Sequence, residues 1–96
     1  MRQKIVDAIK NKRVLSFQYD GHHRVVEPHA VGVSTAGNPV LRCYQTAGTH
    51  VRWDHDWNLC TLDKIINLQE TGETFTTPRP GYKKGDRGMS VIYAEL

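Results

Sequence analysis

Residues 14–21 read VLSFQYDG, and this short stretch gives the first firm indication of the fold. Leu15, Phe17 and Tyr19 alternate with polar residues, which is the period-two pattern of a strand with one buried face. The Asp20-Gly21 pair that follows is a typical sequence for the tight turn of a β-hairpin. The stretch therefore predicts one strand, a turn, and a second strand that runs antiparallel to the first.

The residues that precede this hairpin predict one short helix over about residues 2–11. Ile5, Ala8 and Ile9 recur at the i, i+3 and i+4 positions of one helical face. Basic residues at 10, 12 and 13 suit the negative end of the helix dipole, so they favour a helix end at this place.

Turn signals divide the rest of the chain into short predicted strands, with loops at 46–56 and 77–88. The strand regions cover about residues 24–34, 40–45, 57–61, 65 to a turn at 71–73, and 89–96. Glu27-Pro28 interrupts the first of them, and because proline has no N–H it demands an edge position, a bulge or a bend. One helix followed by five or six short antiparallel strands is the pattern of a mainly β protein, a small barrel or sandwich.

The composition fits one globular domain. The 96 residues leave room for one core, and the net charge of +3 with a pI near 9.0 is compatible with an anionic partner. No apolar run is long enough for a transmembrane helix or a signal peptide, so the expected location is the cytoplasm, away from membranes. Cys43 and Cys60 lack CxxC or zinc spacing, and we expect both to be buried thiols in a reducing compartment.

Five short motifs follow one another along the chain. They are AI at 8–9, LSFQY at 15–19 with Arg24 after it, VEP at 26–28, VLRCY at 40–44 and LDKI at 62–65. The series resembles the WYL domain family over residues 5–70. The resemblance implies that residues 1–96 form a single WYL-like domain, a small SH3-like or Sm-like antiparallel barrel, in which 71–96 supply a loop and the closing C-terminal strand.

The resemblance also implies a function. Domains of this family are usually sensors attached to a helix-turn-helix DNA-binding domain in bacterial and phage-linked regulators, and are thought to bind nucleotides or single-stranded nucleic acid. In this chain PVL at 39–41 stands where the family has its Trp-Tyr-Leu, and Asn58 and Thr61 replace basic residues near the LDKI motif. A single short helix cannot supply a helix-turn-helix, so the prediction is a degenerate, stand-alone domain.

The predicted ligand-binding set consists of two tyrosines and three cations: Tyr19, Arg24, Arg42, Tyr44 and Lys64. Cations attract phosphate and aromatic rings stack on bases with about 1–3 kcal/mol each, so the set would suit an anionic, planar ligand. Arg42 is its strongest member, because it lies in a predicted central strand on the same face as Tyr44. One alternative stays open, in which both tyrosines close the core and the cations are only solvated.

Three more cations, Lys83, Lys84 and Arg87, lie in a glycine-flanked loop that would extend a phosphate-binding surface, unless it is simply a solvated loop tip. Trp57 begins a predicted strand and is expected in the core, whereas Trp53 is a candidate for a surface contact.

Metal-ligating side chains occur close together in one predicted loop, at His50, Asp54, His55 and Asp56. Their spacing fits no recognised metal site, so we expect a solvated loop, no metal and no cofactor. The chain also lacks GxSxG and HExxH motifs, and we expect it not to be an enzyme.

Two functions from different classes follow from these observations. The first is a regulatory module that binds a nucleotide or single-stranded nucleic acid through a basic, aromatic-containing face. The second is a protein-interaction or self-assembly module that acts through a barrel edge, with an exposed edge strand near Glu27-Pro28. Salt distinguishes them, because binding through phosphates weakens steeply with salt and an apolar interface does not.

Overall fold

One helix and six strands make up the parts of the chain that the computed structural model describes, residues 1–48 and 56–96. In chain order they are α1 (Arg2–Lys10), β1 (Arg13–Tyr19), β2 (His22–Ser34), β3 (Pro39–Gly48), β4 (Trp57–Thr61), a 3-10 turn (Leu62–Lys64), β5 (Ile66–Thr74) and β6 (Met89–Glu95). The helix and the six strands lie near their predicted places, and the mainly β fold class is confirmed. Two predicted boundaries are wrong: β3 extends into the predicted loop at 46–56, and β5 runs through the predicted turn at 71–73.

All strand pairs are antiparallel and belong to one sheet with the order β4-β3-β2-β1-β5. The sixth strand, β6, pairs with the second half of β2. β4 and β5 are the two ends of this path, and no pairing joins them in the described part of the chain. The structure therefore shows a bent, six-stranded sheet, and closure into a barrel stays a prediction.

The bend lies in β2, at Pro28. The partners of β2 in β1 end at Val26, those in β6 begin at Ala30, and the register with β3 shifts between Pro28 and Ala30. The position tolerates proline because Pro28 has no partner in β1 or in β6, so its missing N–H is not required by either of these ladders. The predicted bulge or bend is confirmed, but the exposed edge strand expected near Glu27-Pro28 is wrong, since Glu27 is 7% exposed and Pro28 less than 2%.

The β1–β2 hairpin turns at Asp20-Gly21, as the sequence predicts. Both residues have positive φ angles, 51° and 75°, as a type I′ turn requires. This turn sets the register in which Tyr19 lies opposite His22 and Phe17 opposite Arg24.

The main core lies between α1 and one face of the sheet. Ile5, Ala8 and Ile9 are at most 1% exposed, and they pack with the alternating apolar residues of β1. Cys43 and Cys60 are buried in the same cluster and are not joined by a disulfide, so the prediction of two buried thiols is confirmed. In the described ranges, no helix is long and apolar enough to cross a membrane.

The other face of β2, β3 and β4 is partly covered by the segment 75–88. The sequence predicts a loop over residues 77–88 of this segment, and the structure confirms it. Its Phe75 and Tyr82 rings lie 5.8 and 5.2 Å from the ring of His29 in β2. The candidate site is built between this segment and the sheet.

Candidate functional site

The five predicted ligand-binding residues lie on more than one surface. Antiparallel partners share a face of the sheet, and Arg24 is opposite Phe17 of the main core. Arg42 and Tyr44 lie on the opposite face of the sheet, as the alternation of β3 predicts. Lys64 is exposed at the end of the 3-10 turn. The structure therefore places Tyr19 beside Arg24 on one face and Arg42 near Tyr44 on the other. These two pairs do not form one site.

Tyr19 and Arg24 make internal contacts at the rim of the main core. The Tyr19 hydroxyl accepts a hydrogen bond from the backbone N–H of Thr61 at 2.9 Å, and the Arg24 guanidinium lies 5.1 Å from the Tyr19 ring centre. Arg24 Nη1 donates to Oδ1 of Asn58 at 3.3 Å. The two side chains are 8% and 6% exposed, so Tyr19 belongs to the core, as the alternative interpretation of the sequence held.

Arg79 attaches the 75–88 segment to the bend of β2. Its Nε and Nη2 donate to the two carboxylate oxygens of Glu27 at 2.8 and 3.0 Å. The same guanidinium lies over the Tyr44 ring, 4.8 Å from its centre. Glu27 is nearly buried, and this bidentate pair compensates the charge of its carboxylate.

His29 holds the backbone of the same segment. The backbone N–H of Arg79 donates to His29 Nε2 at 3.1 Å, and since an N–H can only donate, Nε2 carries no proton. Nδ1 therefore carries the proton and donates to the Glu27 carbonyl oxygen at 2.8 Å. Burial lowers the pKa of His29, which favours this neutral form.

Tyr44 is tied to the start of β4. Its hydroxyl donates to Oδ2 of Asp56 at 2.9 Å, and this hydrogen bond is the main cause of its raised pKa. Trp57 packs edge-on against the Tyr44 ring at 5.3 Å and against His29 at 4.7 Å. Trp57 is half-buried on the outer face, so its predicted place in the core is wrong. Its indole N–H donates to the Pro80 carbonyl oxygen at 3.1 Å, which holds the segment in place.

Arg42 pairs with Asp86 of the segment. Its Nε donates to Oδ2 of Asp86 at 2.7 Å and its Nη2 donates to Oδ1 at 3.2 Å. Oδ1 also accepts the backbone N–H of Gly88 at 2.8 Å. The hydrogen bonds from Arg42 are the main reason why the pKa of Asp86 is lowered, so Asp86 is a carboxylate at neutral pH.

A cleft of about 450 Å³ opens beside this ion pair. We call it the basic cleft; its lining consists of Arg42, Trp57 and residues 81–87. Lys83, Lys84 and Arg87 are exposed, and their side chains make no hydrogen bond or ion pair with residues that the structure describes. The basic loop singled out in the sequence thus lies next to Arg42, the strongest member of the predicted set.

Sequence reasoning missed the residues that build this arrangement, namely Glu27, Arg79, Tyr82 and Asp86. Asp86 was visible within the basic loop, but its partner Arg42 is 44 residues away. Four of the residues considered in the sequence, His50, Trp53, Asp54 and His55, lie outside the described residues. Among those described, no group of three or more side chains is suited to hold a metal ion.

Comparison of the chain with protein-family models, with curated proteins and with solved structures gives no match. The resemblance to the WYL domain family therefore stays a prediction. The fold and the cleft define the chain as a small antiparallel β domain with a cation-lined cleft on the outer face of its sheet.

Proposed function

We propose that this protein binds a phosphate-bearing ligand, a nucleotide or a segment of single-stranded nucleic acid, in the basic cleft. One observation carries the proposal: Arg42 and the free cations of the 81–87 loop line the same cleft. Its volume of about 450 Å³ is in the range of small-ligand sites, about 300–1,000 Å³.

The charge of the cleft favours an anion. Four cations, Arg42, Lys83, Lys84 and Arg87, line it together with one carboxylate, Asp86. A second carboxylate, Glu95, reaches the loop and accepts the backbone N–H of Gly85 at 3.0 Å. The excess of positive charge lies in solvent-exposed, unpaired side chains, which can turn toward a phosphate without breaking an internal contact.

The aromatic lining would add a second contribution. Trp57 and Tyr82 are the aromatic residues of the cleft, and both are half-buried. Stacking of a base on such a ring contributes about 1–3 kcal/mol and tolerates any base. The proposed module would therefore recognise phosphate and base faces more than sequence, and it would perform no catalysis.

The test is a titration of a fluorescein-labelled dT12 oligonucleotide, followed by fluorescence anisotropy at about 50 and 200 mM salt. We expect saturable binding that weakens about tenfold or more over this range. Unlabelled thymidine 5′-monophosphate as a competitor then shows whether one nucleotide suffices.

Matched double variants locate the binding surface. Lys83→Gln/Lys84→Gln removes two cleft cations, whereas Lys4→Gln/Lys10→Gln removes the same charge from exposed positions of α1. We expect the first variant to lose most of the affinity and the second to lose little. Equal losses would show that only net charge matters, and no binding by the unmodified protein would remove nucleic acid as a ligand. Lys64→Gln tests the remaining predicted residue in the same assay.

Self-assembly through a sheet edge is the second candidate function, and one observation favours it. β6 pairs with β2 on one side only in the described part of the chain, and its Val91 and Tyr93 are 49% and 42% exposed. Sedimentation velocity at low and high salt tests this candidate. A dimer that persists at high salt would support it, and a monomer at all concentrations would exclude it.

A further inference from the structure

Asp86 is the acidic residue among the cations that line the basic cleft. It occupies the side of the Arg42 guanidinium that carries Nε and Nη2, with two hydrogen bonds of 2.7 and 3.2 Å. A phosphate group binds arginine with the same two-point geometry as a carboxylate does. This edge of Arg42 can serve one partner at a time.

We propose that Asp86 is an internal competitor of the ligand: it holds the phosphate position on Arg42 in the free protein, and the phosphate displaces it. The inference rests on the proposed function of the basic cleft and adds a regulatory contact to it. Binding then requires that the ligand phosphate replace Asp86 as the partner of Arg42. Anions that bind Arg42 more weakly than the Asp86 carboxylate does will not displace it.

The position of Asp86 in the chain permits this exchange. It lies in an exposed loop one residue after Gly85, whose φ angle of 71° is readily adopted by glycine. Its side chain is held by two groups, the Arg42 guanidinium and the backbone N–H of Gly88. The hydrogen bonds that hold the segment at Arg79, Pro80, Tyr82 and Gly85 do not involve the Asp86 side chain, so its release does not break them.

The surroundings favour the ligand once it arrives. A phosphate at Arg42 would also meet Lys83, Lys84 and Arg87, none of which has an ion-pair partner among the described residues. The displaced carboxylate would move into solvent or toward the same lysines. The purely structural alternative is that Asp86 only anchors the loop and that Arg42 never binds a ligand.

The test compares Asp86→Asn with Glu70→Gln. Both variants remove one negative charge from an ion pair with an arginine, but Glu70 pairs with Arg13 at a surface site outside the cleft lining. With the labelled dT12 oligonucleotide at about 50 mM salt, we expect Asp86→Asn to bind about fivefold more tightly, which corresponds to about 1 kcal/mol. Glu70→Gln should bind as the unmodified protein does.

The outcomes separate this inference from the function on which it rests. If the unmodified protein binds with salt sensitivity but Asp86→Asn binds no more tightly than Glu70→Gln, Asp86 is not a competitor and the inference alone fails. If neither the protein nor the variant binds dT12 or thymidine 5′-monophosphate, both fail.

A second measurement does not depend on the stability of the variant. In ¹H–¹⁵N spectra of the unmodified protein, thymidine 5′-monophosphate should shift the Arg42 Nε–H and the Gly88 amide signals together, because both groups lose Asp86. A saturable titration that shifts lysine-loop signals but leaves Arg42 Nε–H and Gly88 unchanged would overturn the proposal.

Discussion

The ion pair between Arg79 and Glu27 makes the sharpest prediction about stability. Arg79→Met keeps an unbranched side chain and the backbone N–H that donates to His29, so it removes the charge pair and the contact of the guanidinium with the Tyr44 ring. The carboxylate of Glu27, 9% exposed, is then left without its bidentate partner. Loss of one partner from a fully buried pair costs about 3–5 kcal/mol, and exposed pairs are worth about 0–1 kcal/mol.

The exposure of the two side chains places the expected loss between these limits. Arg79 is 41% exposed, so solvent screens part of the interaction, and we expect Arg79→Met to lower the free energy of unfolding by about 2 kcal/mol. The matched control is Arg13→Met, which breaks the pair with Glu70 whose side chains are 46% and 37% exposed. The control should lose about 0.5 kcal/mol or less.

The assay is equilibrium unfolding in urea, followed by tryptophan fluorescence at neutral pH. A double variant, Glu27→Gln/Arg79→Met, should recover part of the loss because a neutral amide replaces the unpaired carboxylate. Equal losses for Arg79→Met and Arg13→Met would refute the reasoning, since they would show that burial of Glu27 does not make its ion pair with Arg79 stronger than an exposed pair.

Three further predictions concern other groups of the fold. Burial lowers the pKa of His29, so the unfolded chain takes up the proton more readily than the folded one. The stability that neutral His29 contributes is therefore complete above about pH 6.5 and declines as the pH falls below it. Urea unfolding at several pH values should show a smaller decline for His29→Gln than for the unmodified protein, and identical profiles would contradict this. A Cβ added at Gly32 would overlap the Val91 carbonyl oxygen, so Gly32→Ala should lower the thermal midpoint by the equivalent of about 1–3 kcal/mol. An unchanged midpoint would exclude the close packing of β6 against Gly32. Cys43 and Cys60 are at most 1% exposed, so a thiol reagent at pH 8 should label them only after unfolding. Rapid labelling of the native protein would contradict their burial.

Local patterns predicted the secondary structure well because each depends on residues close together in the chain. The i, i+3, i+4 spacing of α1 and the alternation of β1 both describe one face of one element. The strands that run further than predicted do so through polar residues. β3 reaches Gly48 and β5 reaches Thr74. Their ends are polar and show no alternation of apolar residues, but backbone hydrogen bonds to a neighbouring strand still hold them in the sheet.

The candidate site was predicted only in part. Arg42 and the loop with Lys83 and Lys84 were identified by their charge, and the structure brings them to one cleft. Arg24 carries the same charge but lies on the core side of the sheet. A strand pattern assigns residues to alternate faces, but it does not say which turn or bend directs a given face toward solvent.

The sequence by itself determined the helix, the order of the strands along the chain, the Asp20-Gly21 turn and the need for an edge position, a bulge or a bend at Pro28, since these depend on side-chain period and backbone restriction over a few residues. The tertiary structure alone decided the pairs that attach the 75–88 segment to the sheet, Arg42 with Asp86 and Arg79 with Glu27, whose members are 44 and 52 residues apart. The physical reason is that such contacts depend on the register of β2 with its neighbours and on the angle of its bend, and both result from the packing of the whole sheet.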